Sequence, residues 1–295
     1  MHYSFKDDLS QVQTALEKRL AFFLEQSQKG TPERLAQAIS YGLLDGGKRL
    51  RPFLHLSAVR LLGGDEAIAL DIACALEMVH CYSLIHDDLP CMDDSPLRRG
   101  KPSVQAAFDP ATALLAGNAL YTLALEILAG LDIAEAKRLA LIKAVSKASG
   151  ASGMMGGQYL DMAAMTSRDP FTLEEITHLQ RLKTGALIEV CLESASIAFD
   201  PPQEMARALT LYGQNFGLLF QISDDLLDAK GNSETLGKPT QVDVSKATFI
   251  SHFGLEGTEE KANALVDQAC QVFELYGEPT QPLTQVVRAL LTRVS

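Results

Sequence analysis

Cysteine is scarce in this sequence, and its spacing does not suggest a disulfide framework. The 295 residues include 5 cysteines, and no two of them form a C-x-x-C pair. They stand at Cys74, Cys81, Cys91, Cys191 and Cys270. An odd number of widely spaced cysteines is unusual in a disulfide-stabilised secreted protein and offers no zinc-type ligand set. We therefore expect reduced thiols and a cytoplasmic location.

Positive charge is also in short supply. Lys and Arg total 26 against 37 for Asp and Glu, and the formal net charge is −11. A surface that binds nucleic acid needs a basic stripe, so this composition argues against nucleic acid as a partner. An acidic chain can still bind an anionic small molecule where basic residues or metal ions reverse the local charge.

Long apolar runs, low-complexity linkers and repeats of fixed period are absent from the sequence. Residues 1–13 lack the basic region and apolar run of a signal peptide. The apolar stretches elsewhere are too short or too interrupted to span a bilayer. Hydrophobic residues at 47% and charged residues at 21% are typical of a soluble globular protein. We expect one domain over residues 1–295 and no membrane span.

Helix-favouring residues fill most of the chain. Apolar residues recur at three- and four-residue spacing, and Thr172 and Glu175 have the spacing of a capping box. No alternating apolar runs flank the single Asp-Gly dipeptide, so no sheet is expected. The pattern predicts an all-α fold, a single large helical bundle with its ligand site between helices. The predicted helices cover residues 4–26, 32–45, 51–62, 66–89, 110–130, 134–151, 172–198, 203–229, 259–276 and 281–293. Four methionines are expected in the core: Met154, Met155, Met162 and Met165.

Two aspartate clusters interrupt the apolar helices. LIHDDLPCMDD spans residues 84–94, and FQISDDLLD spans residues 220–228, where Asp224 and Asp228 share one helix face at i and i+4. Carboxylates this dense repel one another and lose hydration, which divalent cations relieve. Oxygen ligands without Cys or His select a hard metal, Mg²⁺ before Ca²⁺, and phosphate oxygens of a substrate usually complete the Mg²⁺ shell. The clusters therefore predict a phosphorylated substrate.

Short basic motifs stand beside these clusters. GGKRLRP (46–52) and LRRGKP (97–102) surround the first cluster in sequence, KTG (183–185) lies in a helical window, and LGKP (236–239) follows the second cluster. Arginine offers a planar fork for phosphate oxygens, and lysine offers a point charge. Acidic and basic motifs together predict a diphosphate site.

These motifs, with GGQYLDM (156–162) and KTGALIE (183–189), resemble the trans-isoprenyl diphosphate synthase family, and within it the bacterial farnesyl diphosphate synthases. The resemblance implies an isoprenoid-synthase bundle around a central substrate cavity, a homodimer, and three Mg²⁺ ions per active site. It implies a head-to-tail condensation of isopentenyl diphosphate with dimethylallyl or geranyl diphosphate, giving farnesyl diphosphate and diphosphate.

The resemblance also implies roles for individual residues. The Mg²⁺ ligands would be Asp87, Asp93 and Asp224, with Asp88 and Asp228 supporting or joining them. The allylic diphosphate would be held, and the carbocation shielded, by Arg98 and by the catalytic residues Lys183, Thr184, Gln221 and Lys238. Isopentenyl diphosphate would be held by Lys48, Arg51, His80 and Arg99. Product length would depend on Tyr82, as the cavity floor, and on Ser83 beside it.

Other interpretations stay open from the sequence. The same chemistry could give a geranylgeranyl or geranyl product, and a terpene cyclase shares the Asp-rich ligands. A non-catalytic subunit would be expected to have lost acidic or basic motif residues, which are present here. Glu77-x-x-His80 and Glu175-x-x-His178 match the pattern of di-iron carboxylate bundles, although a match this short is weak evidence.

Overall fold

The computed structural model describes residues 3–44, 46–167, 169, 171–231 and 248–292. Within these ranges the chain is almost entirely helical, and its only strands form one short hairpin. The α-helices are α1 (Phe5–Ser27), α2 (Glu33–Leu43), α3 (Leu50–Leu62), α4 (Glu66–Asp87), α5 (Val104–Ala107), α6 (Pro110–Ala129), α7 (Glu135–Ser149), α8 (Met154–Thr166), α9 (Leu173–Gln180), α10 (Ala186–Phe199), α11 (Gln203–Gly231), α12 (Phe249–Gln271) and α13 (Gln281–Thr292). The predicted all-α fold is confirmed.

Polar caps start several of these helices, including the one that the sequence predicts. The Asp65 carboxylate accepts hydrogen bonds from the backbone N–H groups of Ala67, at 2.8 Å, and Ile68, at 3.0 Å. Thr172 and Glu175 form the reciprocal capping box that their spacing indicates. Each such cap satisfies backbone donors that the first helical turn leaves unpaired, which fixes where the helix begins.

Helix α4 lies at the centre of the core. More than half of its 22 residues are buried, and it packs against α1, α3, α6 and α10. Helix α10, which contacts α4, also packs against α11, and α11 packs against α12. Because apolar neighbours surround α4, its C-terminal residue Asp87 is held at a fixed position inside the bundle.

The sequence analysis took the apolar stretches to be too short or too interrupted to span a bilayer. Among the described residues, however, α4 and α6 are long and apolar enough to cross a membrane by length and composition alone. The apolar window of α4 is 67% buried within the protein, as expected for a core helix of a globular bundle. The window of α6 is 39% buried, so much of its apolar surface is open in this single chain.

The main departure from the predicted helices is α8, a region where the sequence analysis placed none. Gly156 and Gly157 lower the local helix propensity, which hides this helix from sequence patterns. Gly157 is required by packing, because a Cβ there would lie 2.1 Å from the backbone nitrogen of Lys183. Tertiary contact therefore overrides propensity at this position.

Three smaller differences concern helix ends and the hairpin. The predicted helix 172–198 is α9 and α10 joined by a π-helical turn, Arg181–Gly185. Helix α12 begins ahead of the predicted residue 259 and is kinked at Gly254, whose φ is 67°. Leu97–Arg98 and Lys101–Pro102 form an antiparallel hairpin, with positive φ at Arg99 and Gly100. Positive φ at both turn residues suits a tight hairpin. The sequence analysis expected no sheet, because strands of two residues are too short to show an alternating apolar pattern.

Candidate active site

A cavity of about 890 Å³ lies between the helices. Its volume is within the range typical of small-molecule sites, roughly 300–1,000 Å³. Among the predicted site residues, those that line it are Lys48, Arg51, His80, Tyr82, Ser83, Asp87, Arg98, Arg99, Lys183, Thr184 and Asp224. Those that do not are Asp88, Asp93, Gln221 and Asp228, while Lys238 lies outside the described residues. Most of the predicted residues are thus brought to one cavity.

The first aspartate cluster stands where α4 ends. The following loop folds back on the helix, and the backbone N–H of Asp93 donates to the carbonyl of Asp87 at 2.9 Å. Burial raises the pKa of Asp87 to about 6. The negative charges of Asp93 and Asp88 act in the same direction, and the positive charges of Lys183 and Arg98 oppose them. A carboxylate that is costly to keep ionised gains most from a nearby cation.

The carboxylate of Asp88 is paired with Arg98. The Asp88 side chain is 2% exposed, and its two carboxylate oxygens accept hydrogen bonds from Nε of Arg98 at 3.0 and 3.2 Å. This pair holds the Arg98 guanidinium at the cavity wall. Asp88 therefore contributes to the site by positioning Arg98.

In the second cluster, Asp224 lines the cavity and Asp228, one turn further along α11, is exposed. Asp87 of α4 and Asp224 of α11 are thus placed on the same cavity, although 137 positions separate them in the sequence (224 − 87 = 137). This is the juxtaposition that a shared metal and diphosphate site requires.

Asp225, which the sequence analysis did not select, anchors a hydrogen-bond chain behind the cavity. The hydroxyl of Thr184 donates to Oε1 of Gln221 at 3.2 Å, and Nε2 of Gln221 donates to Asp225 at 3.0 Å. Asp225 also accepts from the backbone N–H of Phe249 at 2.9 Å, at the start of α12. These hydrogen bonds orient Thr184 at the cavity wall. The only sequence signal for Asp225 was its position next to Asp224.

The carboxylates fit a hard cation that arrives with its substrate. In the described part of the chain, no three His, Cys, Asp or Glu side chains come close enough together to hold a metal ion. Mg²⁺ commonly takes one or two protein carboxylates and completes its shell with water and phosphate oxygens. Asp87 and Asp224, both on the cavity wall, provide such a partial ligand set.

Arg51 and His80 form a paired basic group at the cavity. Nη1 of Arg51 lies 3.2 Å from Nε2 of His80. Burial lowers the pKa of His80 well below its ordinary value, and the positive charges of Arg51 and Arg99 lower it further. The neutral imidazole can therefore accept the Arg51 N–H, and this contact orients the guanidinium.

A second charged network, which the sequence analysis missed, lies beneath these residues. Arg49 is 2% exposed, has a left-handed backbone with φ of 53°, and donates to Glu77 at 2.6 Å and to the Leu43 carbonyl at 2.6 Å. Glu17 is its other carboxylate partner, and Glu77 also lies 3.8 Å from Arg99. A strained backbone is retained only where surrounding contacts over-determine it, so this network fixes the arginine loop.

Lys183 is anchored by Asp161, another residue that sequence reasoning did not select. Its ammonium nitrogen lies 2.6 Å from Oδ2 of Asp161 on α8. Lys183 and Thr184 both belong to the π-helical turn, a feature that is frequent at functional sites. The close packing of Gly157 against this turn brings α8 to the cavity.

Tyr82 lines the cavity and packs among other aromatic rings. Tyr82 is 3% exposed, and its ring centroid lies 5.0 Å from that of Tyr121 and 5.5 Å from that of His86. The hydroxyl of Tyr82 is buried and has no hydrogen-bond partner among the described residues. Ser83, beside it, donates to the His80 carbonyl at 2.8 Å.

Methionines contribute more to this cavity than the sequence analysis expected. Met165 is 55% exposed and Met155 is 45% exposed, so these two are not core residues. Met154, Met155 and Met162 line the cavity, because α8 presents that face to it. Flexible thioether side chains suit a wall that must fit an apolar ligand.

Comparison with known proteins gives matches over most of the chain. The family model described as polyprenyl synthetase matches residues 32–280. The farnesyl diphosphate synthase of Geobacillus stearothermophilus is 40% identical over 263 residues, which cover 88% of this chain and 87% of that protein.

Solved structures agree with this placement. An apo FPP/GFPP synthase from Zymomonas mobilis superposes with a TM-score of 0.88 at 42% identity, covering 97% of this chain and 98% of that one. A geranyltransferase from Legionella pneumophila superposes with a TM-score of 0.86 at 35% identity, covering 99% of each chain. The chain belongs to the polyprenyl synthetase family, and the predicted resemblance is confirmed.

Proposed function

We propose that this protein is a Mg²⁺-dependent prenyltransferase that condenses isopentenyl diphosphate with dimethylallyl or geranyl diphosphate to form farnesyl diphosphate and diphosphate. One observation supports this function above the others. Asp87 and Asp224 line the same cavity as Arg51, Arg99 and Lys183, and the apolar side chains of α8 line it too. Basic side chains that can hold diphosphate thus share one cavity with apolar side chains that can surround a prenyl tail.

The metal role rests on the carboxylates. Asp87, Asp93 and Asp224 would hold Mg²⁺, with Asp88 supporting them through Arg98 and Asp228 joining from the next turn of α11. Bound Mg²⁺, three ions in our proposal, would neutralise the charge that develops on the leaving diphosphate. Arg98, Lys183 and Lys238 would bind the oxygens of the same diphosphate.

The reaction then needs little from side chains beyond binding and orientation. The allylic C–O bond breaks, and its electron pair leaves with the diphosphate. The double bond of isopentenyl diphosphate attacks the allylic carbon, forms the new C–C bond, and a proton passes to the released diphosphate. The hydroxyl of Thr184 donates a hydrogen bond to Gln221. The lone pairs of the Thr184 oxygen are therefore left to face the positive carbon.

Isopentenyl diphosphate would bind at the other basic group. Lys48, Arg51 and Arg99 line the cavity together with His80. Neutral His80 holds Arg51 in place, and Gly47 lets Arg99 pack closely, since a Cβ at Gly47 would lie 2.6 Å from Cζ of Arg99. A terpene cyclase has no need of this second diphosphate pocket, so its presence favours a prenyltransferase.

The di-iron alternative has little structural support. Glu77 accepts a hydrogen bond from Arg49, and Glu175 belongs to the α9 capping box. A carboxylate already committed to a buried arginine or a helix cap is a poor metal ligand. A non-catalytic subunit is equally disfavoured, because acidic and basic groups both reach the cavity.

We further propose that the protein is a cytoplasmic homodimer whose residues 1–295 form one domain. The buried apolar residues form one contiguous cluster from α1 to α13. The open apolar face of α6, where Leu115 is 55% exposed, is the surface that a second copy would cover.

The test is a product assay. The purified protein is incubated with Mg²⁺, isopentenyl diphosphate and each allylic starter in turn, and the dephosphorylated alcohols are sized by chromatography. Farnesol as the main product supports the proposal. Geranylgeraniol or geraniol would correct the product length, and absence of any condensation product would refute the function. Size-exclusion chromatography with light scattering tests the dimer.

A further inference from the structure

One buried amide nitrogen at the cavity has no hydrogen-bond partner in the part of the chain that the structure describes. Gln158, on α8, is 7% exposed and lines the cavity. Its amide nitrogen is buried and finds no hydrogen-bond acceptor among the described residues. An unpaired buried donor costs about 1–3 kcal/mol, so a fold that keeps one usually uses it elsewhere.

The surroundings of Gln158 say where on a substrate this donor could act. Met154 and Met162, four positions before and after it on α8, also line the cavity, so Gln158 is a polar point in an apolar wall. Asp161, three positions further along, holds the ammonium of Lys183. The preceding residue, Gly157, packs directly on the Lys183 backbone. Gln158 therefore lies at the Lys183 end of the cavity, where anionic oxygens are expected.

We infer that the Gln158 carboxamide is a substrate-contacting residue that donates a hydrogen bond to a diphosphate oxygen of the allylic substrate. The inference rests on the proposed function and adds a contact to it. A neutral N–H donor to a charged oxygen adds affinity without adding to the positive charge of Lys183. The hydrogen bond from Gln158 would also orient the diphosphate, because an amide in an apolar wall has few other acceptors within reach.

The inference makes an unusual prediction about stability. Replacing Gln158 by leucine removes an unpaired polar group and keeps a side chain of similar size, so the unfolding temperature should not fall. The KM for geranyl diphosphate should nevertheless rise about tenfold, the effect of one lost hydrogen bond to a charged group. The KM for isopentenyl diphosphate should stay within about twofold, since the lost contact is specific to the allylic head. A purely structural glutamine would give the opposite pattern.

Gln180 provides the matched control. It is another buried glutamine, 9% exposed, with an amide oxygen that has no partner among the described residues, and it does not line the cavity. Gln180→Leu should therefore leave both KM values unchanged. Gln158→Glu should weaken geranyl diphosphate binding more than Gln158→Leu, because an ionised carboxylate repels the diphosphate.

The deciding measurement uses inorganic pyrophosphate as a competitive inhibitor against geranyl diphosphate, in the presence of Mg²⁺. Its inhibition constant should rise in Gln158→Leu by the same factor as the KM for geranyl diphosphate. If the KM rises and the pyrophosphate constant does not, Gln158 contacts the prenyl chain and the assignment is wrong. If neither changes while the wild type is active, the amide binds only water and the inference fails alone. A wild type that forms no prenyl product refutes the proposed function first, and this contact with it.

Discussion

Tyr82 provides the sharpest test of how this cavity limits its product. We propose that the phenol ring of Tyr82 closes the apolar end of the cavity. Tyr82→Ala would then open that end towards Tyr121, whose ring centroid lies 5.0 Å from that of Tyr82. We expect products longer than those of the wild type, with the extension limited by Tyr121. The variant should lose about 3 kcal/mol of unfolding free energy, at the low end for an aromatic-to-alanine change, because the ring borders the cavity and its hydroxyl is unpaired.

Tyr82→Phe is the matched control for this experiment. It keeps the ring and removes only the unpaired hydroxyl, so product length should not change and stability should stay equal or rise. Products from isopentenyl and geranyl diphosphates are dephosphorylated and sized by chromatography, and stability is measured by urea unfolding. A folded, active Tyr82→Ala that makes only the wild-type product would show that Tyr82 is not the floor. Longer products from Tyr82→Phe would refute the steric reasoning itself.

Three further predictions follow from the site and the core. Asp87→Ala and Asp224→Ala should each fold, as measured by circular dichroism. Each should lose about a thousandfold in kcat, because the cation that neutralises the leaving group loses a ligand. Normal turnover in both variants would refute the metal assignment. Asp88→Asn should raise the KM for the allylic diphosphate about tenfold and affect isopentenyl diphosphate less, because it releases Arg98; equal effects on both substrates would contradict the positioning role. Burial lowers the folded-state pKa of His55 to about 4, so its contribution to stability is present above the ordinary pKa near 6.5 and is lost as pH falls towards 4. That loss amounts to roughly 3 kcal/mol, so unfolding free energy should fall less between pH 7 and 4 in His55→Gln than in the wild type.

The sequence predicted elements best where local chemistry decides. The capping box at Thr172 and Glu175 depends on residues three apart, and the structure shows it in place. Helix α8 was missed because its adjacent glycines argue against a helix locally, while close packing of Gly157 on Lys183 requires one. Local patterns do not record a contact made with a distant residue.

The same division holds within the candidate site. Asp87, Arg51 and Lys183 stand in motifs dense enough in charge to be selected from the sequence. Asp161, the partner of Lys183, was not selected, and Glu77, the partner of Arg49, was noted only in a di-iron-type pattern. A single acidic residue in a helix has an ordinary surface interpretation until its neighbours are known. Lys183 bonds to Asp161 at 2.6 Å across two elements, and only the folded chain establishes that pair.

The sequence by itself determined the all-α class, the family and the chemistry, because helix propensity, caps and clustered charges act over a few residues. The tertiary structure decided that Asp87 and Asp224 line one cavity, that Asp88 serves Arg98, and that Gln158 is left with an unpaired donor. Those facts depend on which helix faces pack together and on which polar atoms water and neighbours can reach, and both are set only when the whole core closes.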